Sequence, residues 1–310
     1  MAASGFPRFS ALVTAVCALL ISGSLAGCGK EGSPPGSVTL LTEQRTAGLR
    51  YSVAPRVPVG DSGALARAKA RGSIRVGVKS DHPFLGFEDP MTGRRGGFDI
   101  EIATMVAARL GFERADIDWQ TVPPQGRETA IAQGDIDYYV AAYTINEERK
   151  KHVSFAGPYY VAGQDLLVKK ENRDIRGPDD LTGKGVCTVA GSTPYERISR
   201  PRYGADVISH DSYAQCVQDL VTGVAEAVTG DDAILKGYAA QNRGRLRVVG
   251  KTFSKEPYGV GLARGDGGLR DAISEALTHH MRTGDWRRAY KATLGRSGEP
   301  PPRPPEVQRG

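Results

Sequence analysis

From Ala64 to Arg296 apolar residues recur in two alternating rhythms, a period of two in short runs and a helical spacing in longer ones. Ile74 to Val78 reads as a strand. Asp99 to Leu110 places Ile100, Ala103, Val106, Ala107 and Leu110 on one helical face and stops at Gly111. A strand from Ile117 to Val122, a helix from Arg127 to Gln133 and a strand from Ile136 to Ala142 follow. This strand–helix alternation predicts a parallel sheet covered by helices. After a strand at Leu166 to Lys169 the grammar restarts: strand Gly185 to Ala190, helix Thr193 to Arg200, strand Val207 to Ser209, helix Ala214 to Val221, strand Ala225 to Thr229. A strand at Tyr258 to Leu262 and helices at Gly268 to Thr283 and Trp286 to Leu294 close the pattern. The expected fold class is α/β, with two lobes, each a mostly parallel sheet flanked by helices, and a small-ligand cleft where strand ends face one another. At the residue level neither half repeats the other.

The two ends break this pattern. Arg8 is followed by an uncharged run from Phe9 to Leu25 that ends in Leu25-Ala26-Gly27-Cys28, the layout of a secretion signal over residues 1–27. Interrupted by Ser22, Gly23 and Ser24, the run falls short of the roughly 20 residues that cross a bilayer. The junction resembles the bacterial lipobox, which makes Cys28 a lipidated membrane tether and places the protein outside the cell membrane. Residues 28–63, rich in Gly, Pro, Ser and Thr, are expected to form a flexible linker, and the Pro-rich residues 298–310 a disordered tail. Between them lie lobe 1, residues 64–162 plus 253–297, and lobe 2, residues 163–252. Tyr160 to Gly163 and Gly250 to Ser254 are the candidate hinges.

Composition narrows the function. Apolar residues at 40% in a chain of 310 can bury real cores, which excludes wholesale disorder. The net charge of +6 comes from 41 basic and 35 acidic residues interspersed along the chain, so no basic tract grips nucleic acid and none is expected as a partner. Four cysteines without a C-x-x-C pair and five histidines leave no structural zinc motif, and no cofactor is expected.

The most specific signal lies between residues 136 and 160: Ile136-Asp137-Tyr138-Tyr139-Val140-Ala141-Ala142-Tyr143-Thr144-Ile145-Asn146-Glu147-Glu148-Arg149-Lys150-Lys151, then Phe155 and Pro158-Tyr159-Tyr160. Here the chain resembles the polar amino-acid solute-binding proteins of ABC importers, the family 3 extracellular solute-binding proteins, and most of all their glutamate/aspartate-binding lipoproteins. The likeness continues through Gly77 to Asp81, Gly97-Phe98-Asp99, Leu181-Thr182-Gly183-Lys184, Gly191-Ser192-Thr193 and Asp231, and spans about Leu65 to Leu294. It implies the two-lobed type II periplasmic-binding-protein fold and a monomer that hands its ligand to membrane permease and ATPase subunits.

An α-amino acid presents a carboxylate and an ammonium on one carbon, so a selective pocket needs a cationic fork, neutral donors and an anion. At the matching positions the resemblance gives Arg149 and Thr144 the α-carboxylate and Asp231 the ammonium, although adjacent Asp232 competes for a place as a helix cap. Lys79 and Arg127 match the cations that hold a distal carboxylate, which favours glutamate or aspartate. Their alternative partners are the neighbours Asp81 and Glu128, and Asp81 itself belongs to the matched set. Phe84 and Tyr213 are expected as apolar walls. Ser192 and Thr193 offer donors at a strand-to-helix turn, or a plain helix cap. The family's glycine is replaced by Ala142, and its third threonine by Asn146.

Cys187 and Cys216 remain, either as a disulfide, which export favours, or as two buried thiols. The reading that follows is a lipid-anchored receptor closing on an acidic amino acid and not an enzyme. Its alternatives are a binder of glutamine or another polar amino acid, a sensor using the same pocket, and an exported dehydratase-like enzyme with Glu147, Glu148 or Asp81 as the acid or base.

Overall fold

The computed structural model describes residues 49–308 except 56 and 59. The signal segment, Cys28 and the first part of the expected linker lie outside the described residues.

Two five-stranded sheets carry the fold. In the first, β1 (Ile74–Val78) lies between β5 (Ile117–Thr121) and β6 (Tyr138–Tyr139), all parallel. Next to β6, antiparallel β13 (Glu256–Ala263) pairs with β7 (Val153–Ala162) at the edge. The second sheet repeats the arrangement: parallel β10 (Asp206–His210), β9 (Gly185–Val189) and β11 (Ala227–Asp231), then antiparallel β8 (Gln164–Lys169) and β12 (Leu246–Val248). Each lobe is therefore a mixed sheet with three parallel strands. Both place their last strand next to an antiparallel partner, a symmetry invisible to residue-by-residue comparison. A small sheet of β2 (Asp81–His82), β3 (Gly86–Glu88) and β4 (Arg95–Gly96) lies between β1 and α2 in the chain.

Helices α1 (Gly63–Arg71), α2 (Phe98–Arg109), α3 (Arg127–Gln133), α4 (Glu147–Lys150), α8 (Gly267–Arg282) and α9 (Asp285–Ala292) accompany the first sheet, and α5 (Thr193–Ile198), α6 (Tyr213–Thr222) and α7 (Asp232–Gln241) the second. α2 is buried almost all round because β1 covers one side and α8 and α9 another. Its start requires Gly97, at φ 125°, where a Cβ would collide with the Leu85 carbonyl. Phe98 then meets Trp286 at 5.3 Å and Tyr290 at 5.7 Å, edge to face, contacts that add about 0.5–1.5 kcal/mol each beyond their buried area.

Several expected boundaries move for local reasons. The strand from Ile136 to Ala142 shortens to Tyr138–Tyr139, because the chain then bends to a positive φ of 49° at Ala142. The strand expected at Ala225 to Thr229 runs two residues later. Gly223, Val224 and Ala225 all donate backbone N–H groups to the Asp219 carbonyl as α6 ends, which delays pairing and puts Asp231 at the strand end.

Parts of both expected unstructured ends pack on the lobes. Leu49, Tyr51 and Val57 join the core, and the Tyr51 hydroxyl donates to Glu101 at 2.8 Å. The expectation of a disordered tail is corrected: Val307 packs on the core, Glu299 pairs with Lys236 at 3.6 Å, and Gln308 N–H donates to the Gly157 carbonyl at 2.8 Å. An extended proline run needs no backbone donors when it lies on a surface, and Gln308 supplies the one that pairs with edge strand β7.

The chain passes from β7 to β8 through Gly163 and returns between β12 and β13. At Gly163 the two crossings touch: an added Cβ would lie 2.7 Å from the Ser254 carbonyl oxygen and from Thr252 Cβ. Gln164 N–H donates to Ser254 Oγ at 2.9 Å, and Phe253 N–H to the Gln164 carbonyl at 2.9 Å.

Candidate functional site

The C-terminal ends of the parallel strands in the two sheets frame a narrow cavity. The first lobe lines it with Lys79, His82, Arg127, Ala142, Thr144 and Arg149, the second with Val189, Ser192, Thr193, Tyr213, Asp231 and Ile234. The lobes touch across it. Tyr213 N–H donates to Asp81 Oδ2 at 3.0 Å, Gln125 Nε2 to Asp211 Oδ1 at 2.9 Å, and Thr193 Oγ1 to Glu256 Oε2 at 2.8 Å.

Arg149 is placed by its own short helix. The Asn146 side chain accepts the Arg149 N–H at 2.8 Å and caps α4, so the residue standing in place of the family's threonine still provides a capping oxygen. Arg149 Nη1 donates to the Thr144 carbonyl at 2.8 Å. Beside it Arg127 projects from the first residue of α3. Both guanidinium groups lie over the Tyr143 ring, at 4.2 Å for Arg127 and 5.1 Å for Arg149, and both donate to the Gly191 carbonyl, at 3.1 and 3.4 Å. Arg127 also donates Nε–H to Glu128 Oε1 at 2.9 Å. Burial opposes the Arg127 charge, but Glu128 and the two neighbouring tyrosines hold its ionisation above the ordinary value. Burial, and then the charge of Arg127, pushes Arg149 down to about 10. Two crowded cations gain from any anion placed between them.

Ala142 takes its left-handed conformation, costly for a residue with a Cβ, because its N–H is held by Asp99 Oδ2 at 3.0 Å. The other oxygen of Asp99 accepts from the Tyr159 hydroxyl at 2.7 Å. Burial pushes the Asp99 carboxyl up to about 7 against both hydrogen bonds.

Asp231 ends β11. Its Oδ2 accepts from the Tyr258 hydroxyl at 2.8 Å, and its buried Oδ1 has no hydrogen-bond partner among the described residues. Burial first, and Glu256 next, push its carboxyl up to about 8. Asp232 turns away, accepting from Gly163 N–H at 3.1 Å and from Lys236 at 2.9 Å, so of the two acids it is Asp231 that lines the cavity.

Lys79 lines the cavity with its ammonium 3.2 Å from Asp81 Oδ1. Asp81 departs from the expectation of a lining residue, because its carboxylate is taken up by Lys79 and Tyr213 N–H. Burial pushes its carboxyl up, but His82 and Lys79 bring it below the ordinary carboxylate range. Phe84 is a second correction. The chain turns there through φ 62°, and its half-buried ring lies 5.7 Å from the Arg296 guanidinium rather than on the cavity. Its expected place as a wall falls to His82, whose ring meets Tyr213 at 5.7 Å. Sequence reading passed over His82, although it sits beside Asp81 in the same matched segment. Tyr213 lines the cavity beside it. The Ser192 hydroxyl donates to the Val189 carbonyl at 2.6 Å and caps α5, while Thr193 is engaged by Glu256, so neither hydroxyl is uncommitted. Glu147 and Glu148 are exposed and paired with Lys150 and Lys151, outside the cavity lining.

Cys187 of β9 and Cys216 of α6 form a disulfide with Cα atoms 5.3 Å apart. His210 and Asp219 lie close enough to Cys187 to suggest a metal site, but the bonded sulfur has no thiolate to offer.

Two α/β lobes closing on a small cavity lined by opposite charges define a receptor for a small polar solute. Residues 74–296 match the family described as bacterial extracellular solute-binding proteins, family 3, and the chain belongs to that family. It is 34% identical over 250 residues to the glutamate-binding protein GluB of Corynebacterium efficiens, covering 77% of this chain and 84% of that protein. It is 35% identical over 253 residues to a glutamine-binding protein of Geobacillus stearothermophilus, covering 82% and 92%. Among solved structures, an ancestral arginine-binding protein bound to arginine aligns with a TM-score of 0.68 at 36% identity, over 73% of this chain and 99% of that one. The protein is thus an exported polar amino-acid solute-binding protein.

Proposed function

We propose that the protein is the lipid-anchored substrate-binding subunit of an ABC importer, tethered through Cys28, that captures glutamate or aspartate by closing its lobes and delivers it to a permease. The observation carrying this reading is the pair of buried guanidinium groups, Arg127 and Arg149, crowded on Tyr143 and converging on one carbonyl. Arg149 and Thr144 take the α-carboxylate, the unpaired oxygen of Asp231 takes the ammonium, and Arg127 with Lys79 takes the distal carboxylate. An ammonium on Asp231 removes the burial cost that raises its carboxyl. Closure follows because these groups come from both lobes and meet a ligand together only when the cleft is shut, with Gly163 and the 250–254 crossing as hinges. The likeness to GluB and the disulfide, which suits an oxidising compartment outside the cytoplasm, support the reading.

Glutamine is the second reading. Lys79 is already paired with Asp81 and Arg127 with Glu128, which leaves less uncompensated charge for a second carboxylate, and a glutamine-binding protein is among the relatives. Titration calorimetry across the amino acids at neutral pH decides. The expected result is glutamate or aspartate bound roughly tenfold to a hundredfold more tightly than glutamine, the discrimination that one charge-assisted hydrogen bond provides. Equal or reversed affinity refutes the acidic assignment.

A further inference from the structure

His82 is 4% exposed, lines the cavity, and carries a buried Nδ1 without a hydrogen-bond partner among the described residues. Its Nε2 lies 3.6 Å from Asp81 Oδ1, which favours the proton on Nε2 and leaves Nδ1 as a bare acceptor. The titratable groups packed around it are Asp81 and Lys79 from its own segment, Tyr213 of α6, and Tyr238 of α7, whose hydroxyl donates to the Asp81 carbonyl. Asp231, Arg127 and Arg149 line the same cavity. Burial and Lys79 disfavour the imidazolium, while Asp81 opposes them, and the ring is pushed down to about 4.

A bare acceptor and a protonated donor read different ligands. An amide side chain offers N–H to a neutral Nδ1. A carboxylate offers only lone pairs, which a neutral Nδ1 repels and to which a protonated one donates. We propose that His82 selects between amide and carboxylate side chains through its protonation state, taking a proton from solvent onto Nδ1 and donating it as a hydrogen bond when an acidic amino acid is held. This rests on the amino-acid-binding reading of the cleft and adds a proton to it.

The test is the ratio of the dissociation constants for L-glutamine and L-glutamate, measured by calorimetry between pH 5.5 and 7.5. Both ligands carry the same α-ammonium and α-carboxylate, so the titration of Asp231 and Arg149 cancels in the ratio, and Arg127, held above its ordinary value, stays charged throughout the range. The side-chain carboxyl of free glutamate, with an ordinary pKa of about 4.3, would move the ratio the opposite way. The expected result is a ratio that rises in favour of glutamate by at least threefold as pH falls across this range, and a flat ratio in His82→Gln. A flat ratio in the unaltered protein, or an unchanged slope in His82→Gln, overturns the proposal. Imidazole ¹⁵N shifts of the unaltered protein provide the same test without a variant, since His82 should hold its second proton to higher pH in the glutamate complex than in the glutamine complex. Equal titration in the two complexes also overturns it. Glutamine bound more tightly at every pH would defeat the acidic assignment above while leaving the slope, and therefore the selector, intact.

Discussion

Arg149 and Arg127 are neighbours on one tyrosine ring, yet removing them should have different consequences. Arg149 is fixed by the Thr144 carbonyl and the capped start of α4, next to the backbone that lines the cavity, and in the proposed reading it meets what every amino acid has in common. Arg127 is partly neutralised by Glu128, and the same reading assigns it to what distinguishes one side chain from another. Arg149→Ala should therefore weaken every amino acid that binds by about a hundredfold or more, a buried ligand charge then lacking its partner. Arg127→Ala should weaken acidic ligands about tenfold or more and neutral ones only slightly. Calorimetry on both variants checks this, and a uniform loss in Arg127→Ala would place it with Arg149 at the α-carboxylate. Asp231→Asn keeps the shape of the site and removes only the anion, so its loss should be felt by all amino acids but not by analogues lacking the amino group.

At the scale of elements, strand and helix periodicity carried most of the architecture, because the inner parallel strands β1, β9 and β11 are buried on both faces and covering helices such as α6 show one apolar stripe. The limits α2 98–109 and α3 127–133 nearly coincide with the sequence pattern. What it missed are elements made by pairing rather than by propensity. The two-residue strands β2 and β4 have no periodicity to detect, yet β2 carries His82 to the cavity wall. The Asp99 anchor of Ala142 was equally hidden, since a carboxylate 43 positions away in sequence satisfies that backbone group. The arginines and Asp231 were legible only through the family resemblance, and Phe84 misled because alternation breaks at its positive φ. The cysteines were legible as a pair in number but not in geometry. Their bond closes a segment with a separation of 29 residues, for which loop entropy implies about 3–4 kcal/mol of stabilisation. Replacing both by alanine should lower the unfolding free energy by about 2–4 kcal/mol in guanidinium titrations, with amino-acid affinity changed less than threefold because neither sulfur lines the cavity.

The whole molecule joins two similarly ordered sheets through two crossings that touch at Gly163, and the contacts across the cleft come from loops and from the ends of strands and helices rather than from the sheet interiors. Ligand affinity and fold stability should therefore respond to different groups. Asp99 belongs to the second kind: it is wholly buried in the first lobe, pairs with no cation among the described residues, and is pushed by burial up to about 7 in the folded chain. In the unfolded chain its carboxyl returns to about 3.9. Between these values the native state binds the extra proton, so its contribution to stability is complete below about pH 4, declines as pH rises toward 7, and is constant above. A shift of this size corresponds to several kcal/mol, since each pH unit is worth about 1.4 kcal/mol. Urea titrations of the ligand-free protein at pH 5 and pH 7.5 should show the unaltered chain losing stability over that interval, and Asp99→Asn, which has no proton to lose, losing less of it. Equal losses in the two chains would show that Asp99 stays ionised in the native lobe and that its hydrogen bonds to Ala142 and Tyr159 outweigh its burial.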